Sequence, residues 1–227
     1  TNYGTGPNGN TLSVIDIPGR KELHRVDIAP LTRPHGVFAV GNKAYFTAEA
    51  NKIVARYDPA ANKVDMLLGT FSSLLNLPAS TVAERNRMLY VEPAGGAPDI
   101  FSRGYKHIFF AQQATADHQG DVFAQYILGL PPSERPRTAA YPSLDDPFAL
   151  PVLQGLREKF EKAGIKTVYT TKYANENTNF DSIANAVKAK NPDLVVAGTQ
   201  FEDGIGMMRA LNKVGFAPKW LYETNAP

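Results

Sequence analysis

The hydrophobic pattern of the chain changes near Leu67, and this change constrains the fold more than any other feature of the sequence. Before Leu67, short apolar runs recur and are separated by turn residues, a pattern typical of antiparallel strands. After it, strand-like runs alternate with segments whose apolar residues repeat at helical spacing. Such alternation is typical of a parallel sheet with helices on its faces. The sequence therefore predicts an α/β region over residues 67–227, preceded by a short antiparallel β meander over residues 1–66.

The first segment contains runs that predict strands, and the dipeptide Gly41-Asn42 between two of them predicts a tight hairpin. The predicted strands are Thr11–Ile17, Leu23–Ile28, Gly36–Val40, Lys43–Thr47 and Lys52–Tyr57. Because Val64–Leu68 is compatible with either pattern, the change of fold is placed within residues 59–69.

The second segment alternates between the two types of element. Its predicted strands are Val64–Leu68, Met88–Val91, Lys106–Phe110, Thr138–Tyr141, Lys166–Thr170, Leu194–Ala197 and Lys219–Tyr222. Its predicted helices are Ser73–Arg87, Asp117–Leu130, one that begins after Ser143 with Pro147 in its first turn, one around Ile183, and Asp203–Val214. This order predicts ligand-binding loops at the carboxyl ends of the parallel strands.

Composition excludes several classes of function. The formal net charge of the 227 residues is only +2, so no basic excess favours nucleic acid or an anionic membrane as a partner. The chain has no cysteine, which excludes disulfides, thiolate metal sites and a cysteine nucleophile, and is compatible with a periplasmic location. No apolar run is long enough to predict a membrane-spanning helix.

Motifs for catalysis are also missing. The chain has no G-x-S-x-G elbow, Walker loop or H-E-x-x-H, and its four histidines lack metal-ligand spacing. We therefore predict a protein that is not an enzyme and that needs no cofactor and no metal.

Three strand-to-helix loops carry chemistry suited to a small ligand. The Gly69–Ser73 loop places hydroxyls and backbone N–H groups at a helix start, which suits either a carboxylate site or an ordinary serine cap. The Glu92–Pro98 loop holds two glycines that allow close backbone approach to a ligand, although an ordinary loop explains them as well. The Gly198–Gly204 loop offers carboxylates for an ammonium group, or simply acidic residues favoured at a helix start.

Taken in order, the segments VDMLLGTFSSLLNLPAS, EPAGGAPDIFSRGYKHIFF and NPDLVVAGTQFEDGIGMMRALNKVGF resemble the type I periplasmic binding proteins. The most similar group is the branched-chain amino-acid and amide binding components of ABC importers. The resemblance covers residues from about 64 to 227 and implies a two-lobed protein that closes on its ligand. It also implies that the first lobe is partial here and that the second lobe spans about residues 107–222.

The resemblance further implies which residues bind the ligand. Serine hydroxyls and backbone of the first loop would hold a carboxylate, the glycine loop would add backbone contacts, Phe148 would cover the ligand, and Glu202 would hold an ammonium group. The implied ligand-binding residues are Ser72, Ser73, Ala94, Gly95, Gly96, Phe148 and Glu202. Two departures, Gly96 for a threonine and Phe148-Ala149 for Tyr-Gly, remove hydroxyl groups and favour a more apolar or aromatic ligand, or an amide.

The first segment resembles a different family. NTLSVIDI and RPHGVFAVGNKAYFTAEANKIVARYDPAANKV are similar to the YVTN-type bacterial β-propeller repeat, over one to two blades. Together the two resemblances imply a chimera whose function is that of a periplasmic or secreted solute-binding module serving an ABC-transporter permease. The alternative is a scaffold that associates through open strand edges and binds no ligand.

Overall fold

The computed structural model describes residues 2–3, 10–29, 31–61, 63–69 and 71–225. The chain divides into two compact units. Unit 1 comprises Thr1–Gly95 and Asp99–Gln113, and unit 2 comprises Gly96–Pro98 and Ala114–Pro227. Thr70 of the predicted Gly69–Ser73 loop lies outside the described residues.

Unit 1 contains a three-stranded antiparallel sheet and a six-stranded mixed sheet. The first has the order β1-β2-β3, and the second runs β4 to β9 in sequence order. The strands are β1 (Asn2–Tyr3), β2 (Asn10–Asp16), β3 (Lys21–Asp27), β4 (Pro34–Val40), β5 (Lys43–Ala48), β6 (Ile53–Asp58), β7 (Lys63–Leu68), β8 (Leu89–Glu92) and β9 (Ile108–Phe110). The helices are α1 (Ser73–Arg85) and α2 (Pro98–Phe101), of which the first residue, Pro98, is counted with unit 2, and a short 3-10 turn covers Glu49–Asn51.

The antiparallel meander and the parallel strands share one sheet at β7. This strand pairs antiparallel with β6 on one side and parallel with β8 on the other. Val64–Leu68, which the sequence left open between two folds, therefore serves both. The predicted boundary at residues 66 and 67 falls inside this strand, whereas the compact units separate near Gly95 and Gln113.

Unit 2 is a parallel sheet in the order β11-β10-β12-β13, with helices between its strands. The strands are β10 (Thr138–Leu144), β11 (Lys166–Tyr173), β12 (Leu194–Ala197) and β13 (Trp220–Glu223). The helices are α3 (Ala116–Gln119), α4 (Asp121–Gly129), α5 (Ala149–Lys162), α6 (Asp181–Lys190) and α7 (Phe201–Lys213). This architecture confirms the predicted fold class, an α/β lobe with a parallel sheet preceded by a short antiparallel meander.

The core of unit 2 lies on both faces of its sheet. In β12, Leu194 and Val196 belong to one buried cluster, and Val195 and Ala197 belong to the other. Successive side chains of a strand point to opposite faces, so a strand covered on both sides is apolar throughout. One cluster includes residues of α5 and the other includes residues of α6 and α7.

Two predicted helices differ in detail from the structure. The single helix expected over Asp117–Leu130 is two helices that meet at Gly120, where a Cβ atom would lie 2.5 Å from Leu156 Cγ. Gly120 therefore gives Leu156 room to pack, and helix propensity alone does not predict this contact. Pro147 precedes α5 and is not in its first turn, since the helix begins at Ala149. Asp146 Oδ1 accepts the N–H groups of Phe148 and Ala149 at 2.8 and 2.9 Å.

Candidate functional site

The buried face of α1 in unit 1 is polar. Its buried residues include Ser73, Asn76 and Ser80, while Leu74 and Leu75 of the same helix are exposed. Buried polar groups need hydrogen-bond partners, so this face implies a polar cluster against the sheet.

Strand β8 supplies the other members of that cluster, Tyr90 and Glu92. The Tyr90 hydroxyl donates to Asn76 Oδ1. The Asn76 amide also donates to the carbonyl oxygen of Ser72 at 3.0 Å, which ties it to the start of α1. Glu92 is fully buried. Glu92 Oε1 accepts the N–H groups of Ala94, at 2.7 Å, and Gly95.

Two glycines make room for the buried Asn76 and Glu92 side chains. A Cβ atom on Gly69 would lie 2.2 Å from Glu92 Oε2 and 2.9 Å from Asn76 Oδ1. A Cβ atom on Gly95 would lie 2.5 Å from Asn76 Nδ2. The sequence suggested that Gly95 lets the backbone approach a ligand, but the structure gives a different reason for glycine at both positions.

The charge of Glu92 is costly in this position. Burial raises the pKa of its carboxyl group to about 7, against the opposing effect of the two N–H groups. Glu92 Oε2 has no hydrogen-bond partner among the described residues. Its neighbours Asn76 and Tyr90 are joined by a hydrogen bond from the Tyr90 hydroxyl to Asn76 Oδ1.

We expect the stability of unit 1 to fall as pH rises from about 4.5 to about 7. The folded state then binds a proton more tightly than the unfolded chain, so deprotonation favours unfolding. A pKa shift from 4.5 to about 7 corresponds to roughly 3 kcal/mol. Glu92→Gln should therefore gain stability over the parent at pH 8 and match it more closely at pH 5, in urea denaturation followed by circular dichroism. Glu176→Gln, at an exposed residue, should show no such pH-dependent gain.

The four predicted ligand-binding residues of unit 1, which are Ser72, Ser73, Ala94 and Gly95, have different surroundings in the structure. Ser72 precedes α1 with a φ of 95°, and its side chain makes no capping hydrogen bond. Ser73 is buried in the first turn of the helix. Ala94 and Gly95 have their N–H groups bonded to Glu92. Ser72 is therefore the predicted hydroxyl that remains partly accessible.

Two predicted residues of unit 2, Gly96 and Phe148, lie together. A Cβ atom on Gly96 would lie 3.6 Å from the Phe148 ring, and the Gly96 carbonyl accepts the Ala116 N–H at 2.7 Å. Phe148 is only 8% exposed. The absence of a side chain at Gly96 thus leaves space beside the aromatic ring.

The predicted ammonium ligand, Glu202, is exposed near the start of α7. The next residue, Asp203, instead turns inward, where its Oδ1 accepts the Gln200 N–H at 2.8 Å in a capping box. The Tyr173 hydroxyl donates to Asp203 Oδ2 at 2.6 Å. A second carboxylate, Glu223, ends strand β13.

Glu223 is a carboxylate of unit 2 whose pKa is strongly raised. Burial raises its pKa to about 7, and the charge of Asp203 adds to the shift. Glu223 Oε1 and Thr199 Oγ1 are buried and have no hydrogen-bond partner among the described residues. Glu223 Oε2 and Thr199 Oγ1 both lie within 3.4 Å of the position that a Cβ atom on Gly204 would take.

The loops that follow β10, β12 and β13 are joined by hydrogen bonds. Gln200 Nε2 donates to Asp146 Oδ1 at 3.3 Å, and Asn225 Nδ2 donates to Gln200 Oε1 at 2.7 Å. Since Asp146 Oδ1 also accepts the N–H of Ala149, the first residue of α5, this network fixes the carboxyl ends of three strands of the sheet. Oxygen acceptors held rigidly at this edge suit a ligand that donates hydrogen bonds.

Sequence reasoning missed five residues of these clusters: Asn76, Tyr90, Glu92, Asp203 and Glu223. A signal was present for two of them, because Glu92 and Glu223 each follow an apolar run at the end of a strand. The carboxyl ends of parallel strands are where ligands of such sheets bind, so a carboxylate at that position is a candidate site residue.

A model of the periplasmic binding protein family matches residues 45–224. The match begins within the segment that resembles propeller repeats, and the propeller origin of residues 1–66 stays a prediction. Over 151 residues the chain is 25% identical to the Leu/Ile/Val/Thr-binding protein of Salmonella typhimurium, covering 66% of this chain and 39% of that protein.

Two solved structures share the fold. The leucine binding protein LivK of Thermotoga maritima gives a TM-score of 0.59 at 17% identity, with coverage of 69% of this chain and 43% of that one. A solute binding protein of R. palustris, in complex with 4-hydroxybenzoate, gives a TM-score of 0.58 at 14% identity, with coverage of 69% of this chain and 42% of that one.

The chain spans less than half the length of each of these three proteins. No helix in the described part of the chain is long and apolar enough to cross a membrane. The match to the family model nevertheless extends over most of the sequence and both compact units. The chain therefore belongs to the periplasmic binding protein family.

Proposed function

We propose that the chain is the ligand-binding part of a non-catalytic solute-binding protein. Its ligand would be a small amino-acid-like molecule, an amide or an aromatic acid, delivered to the permease of an ABC transporter. A periplasmic or secreted location fits this role. Membership of the binding-protein family supports the proposal, as do relatives that are named for branched-chain amino acids or that hold 4-hydroxybenzoate.

The observation that carries the proposal is the set of unpaired acceptors at the carboxyl end of the sheet in unit 2. Glu223 Oε1 and Thr199 Oγ1 are buried and have no hydrogen-bond partner within the part of the chain that the structure describes, and Asp203 adds a second negative charge close by. Buried acceptors without donors are rare in folded proteins because each costs free energy. A ligand ammonium or amide group would supply the missing donors.

The raised pKa of Glu223 supports the same assignment. Near neutral pH a large share of this carboxyl group is protonated without ligand, since burial and Asp203 both disfavour its charge. An ammonium group placed beside it would favour the charged form and lower its pKa. Binding of a cationic group is thus expected to release protons near pH 7, whereas a neutral amide would release fewer.

For unit 1, considered by itself, the start of α1 remains the proposed place for an anionic group. Ser72 is partly accessible there, and helix N-termini favour negative charge. Phe148 and Gly96 in unit 2 are proposed to contact an apolar or aromatic part of the ligand.

Binding can be tested by thermal shift and calorimetry with L-leucine, L-phenylalanine, leucinamide and 4-hydroxybenzoate. A ligand at 100 times its dissociation constant should stabilise the protein by about 2.7 kcal/mol. We expect Glu223→Gln to weaken binding of the ammonium ligands about 10- to 100-fold, because a charge-assisted hydrogen bond contributes about 1.5–3 kcal/mol.

Glu202→Gln is the matched control, since Glu202 is exposed and was the carboxylate expected from the resemblance. It should leave affinity within about twofold if Glu223 holds the ammonium group. A large loss in Glu202→Gln with none in Glu223→Gln would instead support the original assignment. No stabilisation by any of the four compounds would count against a binding function and favour a scaffold role.

A further inference from the structure

The most unusual group of unit 1 is the Glu92 carboxylate, which binds the loop that follows it. Its Oε1 atom accepts two successive backbone N–H groups, from Ala94 and Gly95. Two adjacent N–H groups that point to one oxygen are the arrangement with which protein loops bind carboxylate and phosphate ligands. Here the anion is a side chain of the same chain.

We propose that Glu92 is a built-in hydrogen-bond acceptor of the Ala94–Gly95 loop: its Oε1 atom occupies the backbone N–H groups that an anionic ligand would otherwise bind. Glu92 is then a positioning residue: it holds the loop in place and removes these two donors from ligand recognition. The part of this inference that concerns ligand recognition rests on the proposed binding function. The part that assigns the two N–H groups to Glu92 does not.

The packing around Glu92 supports a permanent role for its side chain. It is fully buried, and both neighbouring glycines, Gly69 and Gly95, lack the Cβ atom that would collide with it or with Asn76. Its backbone carbonyl also accepts the Ala111 N–H at 2.9 Å, so strand β8 is fixed by the sheet while the side chain fixes the loop. Bonds on both sides of the residue leave the carboxylate little freedom to turn away.

Bonding of the Ala94 and Gly95 N–H groups to Glu92 affects which ligand groups this loop can accept. Sequence reasoning expected the backbone at Ala94 and Gly95 to contribute to binding. With both N–H groups bonded to Glu92, a ligand anion gains no hydrogen bonds from them and meets a like charge when Glu92 is ionised. The ligands that this loop tolerates best are therefore neutral or donate hydrogen bonds on the side that it faces.

The experiment measures hydrogen exchange of the Ala94 and Gly95 amides by NMR, without any transport ligand. Glu92→Ala should speed their exchange at least tenfold, because the N–H groups lose their acceptor. Formate, a free carboxylate small enough for the vacated space, should restore protection in Glu92→Ala as its concentration rises. Formate should have no effect on the parent protein, whose N–H groups are already occupied.

Glu92→Gln is the conservative control, because its amide oxygen can still accept both N–H groups. The Ala94 and Gly95 amides of Glu92→Gln should exchange slowly without formate. This variant also tests the proposal if Glu92→Ala does not fold. Rapid exchange of both amides in the parent, or in Glu92→Gln, would overturn the proposal. So would a folded Glu92→Ala variant whose amides stay protected or ignore formate. None of these outcomes depends on whether amino acids or aromatic acids bind.

Discussion

Replacing Gly155 by alanine is expected to lower the free energy of unfolding of unit 2 by about 3 kcal/mol or more, as severe overpacking does. A Cβ atom at this position of α5 would lie 2.1 Å from the backbone oxygen of Asp117 in α3. Backbone cannot rotate away as a side chain can, so the two helices must separate. Urea denaturation followed by circular dichroism measures the loss.

The separation of α3 and α5 in Gly155→Ala should also displace Gly96 and Phe148, which are proposed to contact the ligand. Helix α3 begins at Ala116, which bonds to Gly96, and α5 begins directly after Phe148. Gly129→Ala is the matched control: it lies in α4 with open space around the new methyl group, and it should be neutral or slightly stabilising. Equal stability of the two variants would contradict the close packing of α3 and α5.

Replacing Arg103 by alanine is expected to lower the free energy of unfolding of unit 1 by about 2–3 kcal/mol. Its guanidinium donates to Leu77 O and Thr81 Oγ1, both at 2.9 Å, and to Ser80 Oγ at 2.5 Å. It also stacks over the ring of Tyr105 at 4.4 Å. These bonds fix α1 near Pro78, where the helix lacks a backbone donor.

The controls for Arg103 separate charge from geometry. Arg103→Lys keeps the charge but cannot reproduce the planar fork of donors, so it should recover only part of the loss. Arg85→Ala removes an exposed arginine from α1, the helix that Arg103 contacts, and should change stability by less than about 0.5 kcal/mol. Similar effects from Arg103→Ala and Arg85→Ala would show that the hydrogen bonds of Arg103 contribute little.

Most elements could be predicted because their signals are local. Gly41-Asn42 predicted the hairpin between β4 and β5, and the apolar run Leu194–Ala197 predicted a strand covered on both faces. The helix expected over Asp117–Leu130 failed at Gly120, where Leu156 from α5 occupies the space a side chain would need. That contact joins residues far apart in sequence, so no local pattern contains it.

The candidate site was harder to predict than the fold. The loops that carry it were identified from strand-to-helix order, but within the third loop Glu202 was chosen, and the structure places it at the surface. Asp203, one residue later, forms the capping box, and Glu223 lies at the end of another strand. A shift of one residue on a helix turns the side chain by about 100°, so loop identity alone does not select the residue that points inward.

The sequence by itself indicated the type and order of most elements, because hydrophobic period and turn residues act over short stretches of chain, and the order of its segments carried the resemblance to the family. Only the tertiary structure decided which polar side chains are buried and what they contact. Glu92 acquires its raised pKa because burial disfavours its charge more than the N–H groups of Ala94 and Gly95 favour it, and Glu223 acquires its own because burial and Asp203 act together. Desolvation and hydrogen bonding depend on atoms that folding brings together from distant positions, and they therefore appear only in three dimensions.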